Sequence, residues 1–139
     1  MEFTRRGAIA ISAGFVAVLM LPARMAKAAV DEKIAAFTGG ASVGSGGITL
    51  TTPEIAENGN TVPIEVNAPG ATEILVLASG NPTPDVCSVK FGPLAGSQSL
   101  STRIRLAGTQ DVVAIAKMAD GSFVQAANTV KVTIGGCGG

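Results

Sequence analysis

From residue 48 onward, the sequence is a series of short apolar runs separated by turn-forming residues, and this pattern constrains the fold more than any other feature. The runs are Ile48–Thr51, Val62–Val66, Ile74–Ala78, Val86–Phe91, Leu100–Leu106, Val112–Met118, Ser122–Ala126 and Val130–Ile134. Glycine, proline and asparagine stand between them, as they do between the strands of all-β domains. We therefore predict an all-β fold, an antiparallel β-sandwich of immunoglobulin-like type, with an open barrel as the alternative.

Local patterns add detail to this prediction. The dipeptide Asp120-Gly121 predicts a tight hairpin between the runs on either side of it. Residues 31–37 are expected to form a short N-terminal helix, and a loose Gly/Ser-rich connection comes after it. Alternation is clean over 100–106: the residues predicted to face the core are Leu100, Thr102, Ile104 and Leu106, and those predicted to face solvent are Ser101, Arg103 and Arg105. The two arginines mark either a solvated edge or a patch that faces a partner or steers an anion.

The first 28 residues have the pattern of an export signal. Adjacent Arg5 and Arg6 precede an apolar stretch over residues 7–21, and an Ala-Lys-Ala triplet occupies 26–28. A charged start, an apolar middle and a small-x-small end are typical of a cleaved signal peptide, and paired arginines favour the twin-arginine route. The apolar stretch is shorter than the roughly 20 residues of a membrane-spanning helix. We predict cleavage at the end of the triplet, a mature domain over 29–139 and a periplasmic location; a retained membrane anchor is the alternative.

The residue types that are missing exclude several classes of function. The sequence contains no His, Trp or Tyr. Without histidine, the Ser-His-Asp and Cys-His forms of catalysis cannot be built within the chain, and the commonest metal ligand is absent. Residues 29–139 carry six basic and nine acidic side chains, with no basic cluster of the kind that binds nucleic acid. We expect a protein that is not an enzyme and has no cofactor, no metal and no nucleic-acid partner.

The sequence ends in a cysteine flanked by glycines, Gly135-Gly136-Cys137-Gly138-Gly139. Glycine has no side chain to pack, so residues 135–139 are predicted to form a flexible arm that reaches roughly 17 Å beyond the last strand. The glycines also leave the sulfur sterically open, while no cationic residue within five positions would activate it. We therefore predict that Cys137 is a carrier thiol that is activated in the site of a partner enzyme.

A second cysteine, Cys87, lies in a predicted strand between Val86 and Ser88. This placement favours a buried structural thiol. A disulfide with Cys137 stays open because exported proteins meet an oxidising compartment. Two other functions also stay open: a thiol-disulfide redox protein that uses both cysteines, whose Cα atoms would have to lie within about 7 Å, and a non-catalytic immunoglobulin-like interaction module.

The C-terminal pentapeptide resembles the swinging arm of the SoxY family, the carrier subunits of the bacterial sulfur-oxidising (Sox) thiosulfate-oxidation system. Other segments resemble the family in the same order along the chain: 58–64, Asn81-Pro82 with Pro84, 101–107, 120–123 and 130–134. The resemblance therefore covers nearly the whole chain after the predicted signal.

This resemblance implies a covalent carrier of sulfur substrates. A haem enzyme would conjugate thiosulfate to Cys137, a hydrolase would release sulfate, and a sulfane dehydrogenase would oxidise the sulfur that remains. The resemblance also implies a heterodimer with SoxZ, a second small β-sandwich subunit that lacks its own signal and would be exported together with the carrier.

Overall fold

The computed structural model describes residues 21–135, with the backbone alone for residues 21–24 and 26. Within this range, one helix precedes nine strands. The elements are α1 (Leu21–Thr38), β1 (Val43–Ser45), β2 (Thr49–Thr51), β3 (Ile55–Ala56), β4 (Val62–Asn67), β5 (Ala71–Ala78), β6 (Asp85–Lys90), β7 (Ser99–Ile104), β8 (Gln110–Met118) and β9 (Phe123–Val132).

The strands form two sheets that pack as a sandwich, so the predicted all-β fold is confirmed. The larger sheet has the strand order β1-β9-β8-β5-β6, with β3 also pairing with β9, and the smaller sheet has the order β2-β4-β7. The long neighbours are antiparallel, whereas β1 and β3 each pair in parallel with β9. The sequence pattern did not predict these parallel pairs. They cover one edge of β9, β1 near its beginning and β3 at its end.

The main core lies between the two sheets and is built by alternating side chains. In β4, Val62, Ile64 and Val66 are buried, while Pro63 and Glu65 point to solvent. Fully burying a side chain such as valine or isoleucine stabilises a fold by about 1.5–3 kcal/mol. The predicted alternation over residues 100–106 is confirmed, since the apolar positions turn inward and both arginines are exposed.

Helix α1 covers the outer face of the larger sheet. Val30 is buried against Leu77 and Ile115, which point away from the sandwich core because the central strands β5 and β8 are apolar on both faces. The rings of Phe37 and Phe123 meet edge to face, with centroids 5.7 Å apart. The sheet therefore has a helix on one side and the second sheet on the other.

The helix was predicted over 31–37, but it begins at Leu21 and thus crosses the predicted cleavage site. Its early residues are mostly Ala, Lys, Met and Arg, which are good helix formers, and a proline in the first turn does not oppose a helix. Over residues 21–135, no helix combines the length and apolarity needed to span a bilayer.

The last part of the chain is one strand rather than the two that were predicted. β9 runs without interruption from Phe123 to Val132 and pairs with β8 along most of its length. The predicted Asp120-Gly121 hairpin joins these two strands, and Gly121 has the positive φ of 86° that its turn requires. Because β9 is long and paired, the residues that follow it start from a well-supported position.

Candidate functional site at the end of the last strand

The chain stays hydrogen-bonded beyond Val132, the last residue of β9. The Thr133 N–H donates to the Ala56 carbonyl at 3.0 Å. The Thr133 hydroxyl donates to the Glu57 carbonyl at 2.9 Å. The segment between β9 and the predicted arm is therefore fixed to β3 and the residue after it.

A turn at residues 58–60 carries this attachment one step further. The Gly59 N–H donates to the Ile134 carbonyl at 2.7 Å, and the Gly59 carbonyl accepts from the Leu106 N–H at 2.8 Å. The Asn58 side chain accepts from the Asn60 N–H at 2.9 Å and closes the turn. The buried Gly59 thus joins Ile134 to the loop after β7.

The side chain of Asn81 holds that loop from the other side. Its amide nitrogen donates to the Arg105 carbonyl, and its oxygen accepts from the Ala107 N–H, each at 2.9 Å. An asparagine amide can satisfy a carbonyl and an N–H on neighbouring residues at once because it carries both a donor and an acceptor. Asn81 therefore fixes the backbone on both sides of residue 106.

Gln110 completes the network and is itself 6% exposed. Its nitrogen donates to the Asn81 side-chain oxygen at 2.9 Å and to the Gly108 carbonyl at 3.0 Å, while its oxygen accepts from the Gly80 N–H at 2.8 Å. A Cβ on Gly80 would come within 2.9 Å of the Gln110 Cβ, so this close approach requires glycine. Throughout the described residues, no buried side-chain nitrogen or oxygen lacks a partner.

Gly135 lies directly against this loop. A Cβ on Gly135 would overlap the carbonyl oxygen of Ala107 and lie 3.3 Å from its carbonyl carbon. Nearby, the Val132 N–H donates to the Thr109 hydroxyl at 3.0 Å, which joins the same loop to the end of β9. We use the name arm root for the set Gly59, Asn81, Ala107, Gln110, Ile134 and Gly135.

The contacts of the arm root are made by backbone groups and neutral amides. None of these groups titrates between about pH 4 and pH 10. Neutral hydrogen bonds also depend less on ionic strength than surface ion pairs do. The attachment should therefore persist across a wide range of pH and salt concentration.

Of the residues predicted to form the functional arm, Gly135 is part of the described structure and belongs to the arm root. The remaining ones, Gly136, Cys137, Gly138 and Gly139, lie outside the described residues. The predicted signal up to residue 20 also lies outside them.

The other cysteine is placed in a different setting. Cys87 lies in the edge strand β6 and forms no disulfide within the described residues, and its side chain is half-buried rather than buried as predicted. It lines a cleft of ≈ 330 Å³ between β6 and β7, together with Arg103 and Arg105 among others. Partial burial raises the pKa of the Cys87 thiol above its ordinary value. The neutral, weakly nucleophilic form is thereby favoured.

The sequence contains parts of the arm root in recognisable form but does not indicate that they meet. The segments 58–64 and 81–84 carry turn signals, and 101–107 carries the alternation of a strand. Gln110 was missed because a polar residue before an apolar run gives no sign of burial. The Gly135–Ala107 contact joins residues distant in sequence, and no local pattern predicts such a contact.

No metal site is evident in the described part of the chain, where His, Cys, Asp and Glu side chains nowhere gather in groups of three or more that could hold an ion. The charged groups that line the cleft beside Cys87 are guanidiniums, which are not metal ligands. Within the described residues, the site is a platform of backbone groups and neutral amides.

Comparison with known proteins supplies the family. The family model described as "Sulfur oxidation protein SoxY" matches residues 34–137, a range that includes both cysteines. The solved structure of the sulfur carrier protein SoxY from Chlorobium limicola f. thiosulfatophilum is similar, with a TM-score of 0.68 and 34% identity over 77% of this chain and 94% of that chain. A search of curated proteins found no match.

Superoxide reductases are similar in fold alone. The enzyme (neelaredoxin) from Ignicoccus hospitalis superposes with a TM-score of 0.56 at 15% identity, over 63% of this chain and 81% of that chain. A putative superoxide reductase from Thermotoga maritima gives a TM-score of 0.52 at 16% identity, over 61% and 84% of the two chains. At these identities only the sandwich architecture is shared.

Proposed function

The chain belongs to the SoxY family of sulfur oxidation proteins, and from that premise we propose that it carries sulfur substrates covalently on the thiol of Cys137. The observation that carries this proposal is the position of the thiol. Cys137 comes two residues after Gly135, and the backbone just before it is hydrogen-bonded to the turn at 58–60 through the Ile134 carbonyl. A thiol among glycines, two residues along the chain from a rigid platform, suits a group that other proteins act on.

The proposed loading step joins thiosulfate to the cysteine. The thiol loses its proton, a sulfur–sulfur bond forms to the outer sulfur of thiosulfate, and two electrons pass to the haem enzyme that catalyses the step. The product is a cysteine S-thiosulfonate. Four neighbouring glycines allow an enzyme channel to close around the backbone without meeting a Cβ.

The proposed unloading step is a hydrolysis. Water attacks the sulfonate sulfur, sulfate and two protons leave, and a cysteine persulfide remains. A sulfane dehydrogenase then oxidises the outer sulfur of the persulfide to a sulfonate: three waters supply the oxygens, six protons are released and six electrons pass to that enzyme's electron acceptor. A second hydrolysis releases sulfate and regenerates the thiol. The chain's own part in each step is to present the sulfur, since none of its described side chains is arranged for acid–base catalysis at the arm root.

The partner and the location belong to the same proposal. We expect a heterodimer with a SoxZ-like small β subunit, because a sandwich with exposed strand edges is stabilised by pairing with or packing against another chain. We expect export of the folded pair by the twin-arginine route into the periplasm, together with removal of residues 1–28. Mass measurement of the protein isolated from that compartment would show whether the chain begins near Ala29.

The surroundings of Cys87 argue against the redox alternative. A dithiol enzyme needs one thiol with a lowered pKa as its nucleophile. Burial raises the pKa of Cys87, so Cys87 does not supply that nucleophile, and no cationic residue lies within five positions of Cys137 to activate its thiol. The family membership likewise argues against an inert interaction module, because the matched range extends to Cys137.

A reconstituted thiosulfate-oxidation assay tests the carrier role. Cys137→Ser should reduce thiosulfate-dependent electron release to the background without carrier, while Cys87→Ser should retain most of it. The two variants are a matched pair, since each exchanges one sulfur for one oxygen. Full activity of Cys137→Ser, or loss of activity in Cys87→Ser alone, would refute the proposal.

A further inference from the structure

We propose that Gly135 is a positioning residue that fixes where the cysteine-bearing end of the chain leaves the sandwich. The five terminal residues look alike in sequence, four glycines around one cysteine, but Gly135 has a role of its own. This inference deepens the proposed carrier function, and only its last step rests on that function.

The requirement for glycine at this position is one of space and not of backbone conformation. The φ of Gly135 lies outside the left-handed region that favours glycine. A side chain would instead collide with backbone, because its Cβ would overlap the Ala107 carbonyl oxygen. A backbone carbonyl cannot move aside as the tip of a flexible side chain can, so any substitution must displace one of the two segments.

Neither segment is free to move without breaking hydrogen bonds. On the Gly135 side, the preceding carbonyl of Ile134 accepts from the Gly59 N–H at 2.7 Å. On the Ala107 side, the N–H of Ala107 donates to Asn81, and the neighbouring Leu106 N–H donates to Gly59. Gly59 thus contacts both segments and sets the narrow gap that Gly135 fills.

Asn81 is fixed in its turn by the buried Gln110. The Gln110 nitrogen donates to the same Asn81 oxygen that accepts from Ala107. The oxygen of Gln110 is used by the Gly80 N–H, which leaves its amide in one orientation. The position of the Ala107 carbonyl is therefore determined by a polar network whose buried groups are satisfied.

A fixed starting point matters because the tether to the thiol is short. Covalent geometry limits the distance between the Cα atoms of Gly135 and Cys137 to about 7 Å. A partner enzyme must therefore bring its reacting centre close to the arm root. A displaced Gly135 would change how far the Cys137 sulfur reaches into the active site of that enzyme. The predicted reach of roughly 17 Å from residue 135 applies to the chain end and not to the thiol.

The substitution Gly135→Ala tests the inference, with Gly108→Ala as its matched control. Gly108 lies next to Ala107, also has φ outside the left-handed region, and faces open space where a Cβ would stand. The amide hydrogen exchange of Gly59 in the purified protein reports on its bond to Ile134. We expect exchange at Gly59 to accelerate at least about tenfold in Gly135→Ala and to stay unchanged in Gly108→Ala.

The rate of enzymatic loading then shows whether Gly135 positions the cysteine or only stabilises the fold. We expect Gly135→Ala to lower the rate of thiosulfate loading on Cys137 by about tenfold, while alkylation of Cys137 by iodoacetamide keeps its wild-type rate. Asn81→Ala should have the same effect on loading, and the double variant should be no slower than either single one, because both act through the Ala107 carbonyl.

Several results would overturn the proposal. Unchanged Gly59 exchange in Gly135→Ala, or an equal acceleration in Gly108→Ala, would show that the space around Gly135 is not restricted. Faster exchange with normal loading would show that Gly135 serves the fold alone. If the wild-type protein is not loaded at all, the carrier proposal fails, and the exchange experiment decides by itself whether Gly135 is confined.

Discussion

The arm root and the β6 edge are the two regions next to the cysteines, and they differ in how firmly hydrogen bonds fix the backbone. At the arm root, hydrogen bonds from Gly59 and Asn81 fix the backbone up to Gly135. At the β6 edge, Cys87 borders an open cleft and lies in a strand that, among the described residues, pairs with β5 alone. The first region is fixed through its backbone, whereas the second partly shields its thiol.

This difference teaches that the role of a cysteine is set by the backbone that carries it. Half-burial raises the pKa of Cys87 and keeps it neutral, which suits a passive packing residue. Cys137 comes three residues after Ile134, whose carbonyl accepts from the Gly59 N–H, and the proposed carrier chemistry at its thiol depends on partners. Variants in the two regions should therefore differ in the property they damage, the position of the arm in one and local packing in the other.

The largest expected effect is at the arm root. Asn81→Ala removes the hydrogen bonds to the Arg105 carbonyl and the Ala107 N–H, and the partly buried Ala107 N–H loses its partner. We expect the free energy of unfolding to fall by about 2–3 kcal/mol, as measured by urea denaturation. Asn60→Ala is the control, since the Asn60 side chain is exposed, and it should change stability by less than about 0.5 kcal/mol. Equal stabilities for the two variants would mean that the Asn81 network does not hold the loop.

A smaller effect is expected at the β6 edge. Cys87→Ala removes one sulfur from a half-buried position that packs against the main core. We expect a loss of about 1 kcal/mol in the same urea titration, with Ser101→Ala on exposed β7 surface as the control. A loss as large as that of Asn81→Ala would show that the edge is packed as tightly as the arm root.

We expect a still smaller effect of pH on the stability of the folded protein through Cys87. The sign of this effect comes from the raised pKa of the Cys87 thiol. The folded state favours the neutral thiol, so its contribution to stability is full below the ordinary thiol pKa of about 8.5 and is lost as pH rises through the higher folded value. Thermal denaturation of the wild-type protein between about pH 8 and pH 10 should therefore show a decline that Cys87→Ala lacks. Parallel curves for the two proteins would contradict the burial of this thiol.

The smallest effect concerns an ion pair between α1 and β6. The Lys33 amine lies 2.7 Å from the Asp85 carboxylate, and both side chains are more than two-fifths exposed. Such pairs contribute little because water and salt screen them. We expect Lys33→Ala to leave the melting temperature unchanged within error at physiological salt, and a clear drop would mean that α1 holds the β6 edge in place.

The sequence predicted much of the architecture because its signals are local. Alternation at 100–106 and the Asp120-Gly121 turn define strands and a hairpin without reference to the rest of the chain. Local signals failed where tertiary contacts decide. β1 forms in a glycine-rich stretch because β9 offers an edge, and β9 continues through residues 127–129 because β8 pairs beside it.

The candidate site was predicted in part for the same reason. The glycine-flanked Cys137 was visible in the sequence, and family membership supports its role. The arm root was not predicted, because Asn81, Ala107 and Gly135 are far apart in the chain and meet only after both sheets have packed. The lack of space for a Cβ at Gly135 arises from the assembled fold and cannot be predicted from the glycine content of the sequence.

The most direct test of the central claim maps sulfur onto both cysteines in one sample. The processed protein is incubated with thiosulfate and the Sox partner enzymes, alkylated, digested and examined by mass spectrometry. The expected result is a thiosulfate-derived adduct on the peptide that contains Cys137, with Cys87 recovered as a free thiol. An adduct on Cys87, or a disulfide that joins the two cysteines in the active protein, would contradict the division of roles between the arm root and the β6 edge.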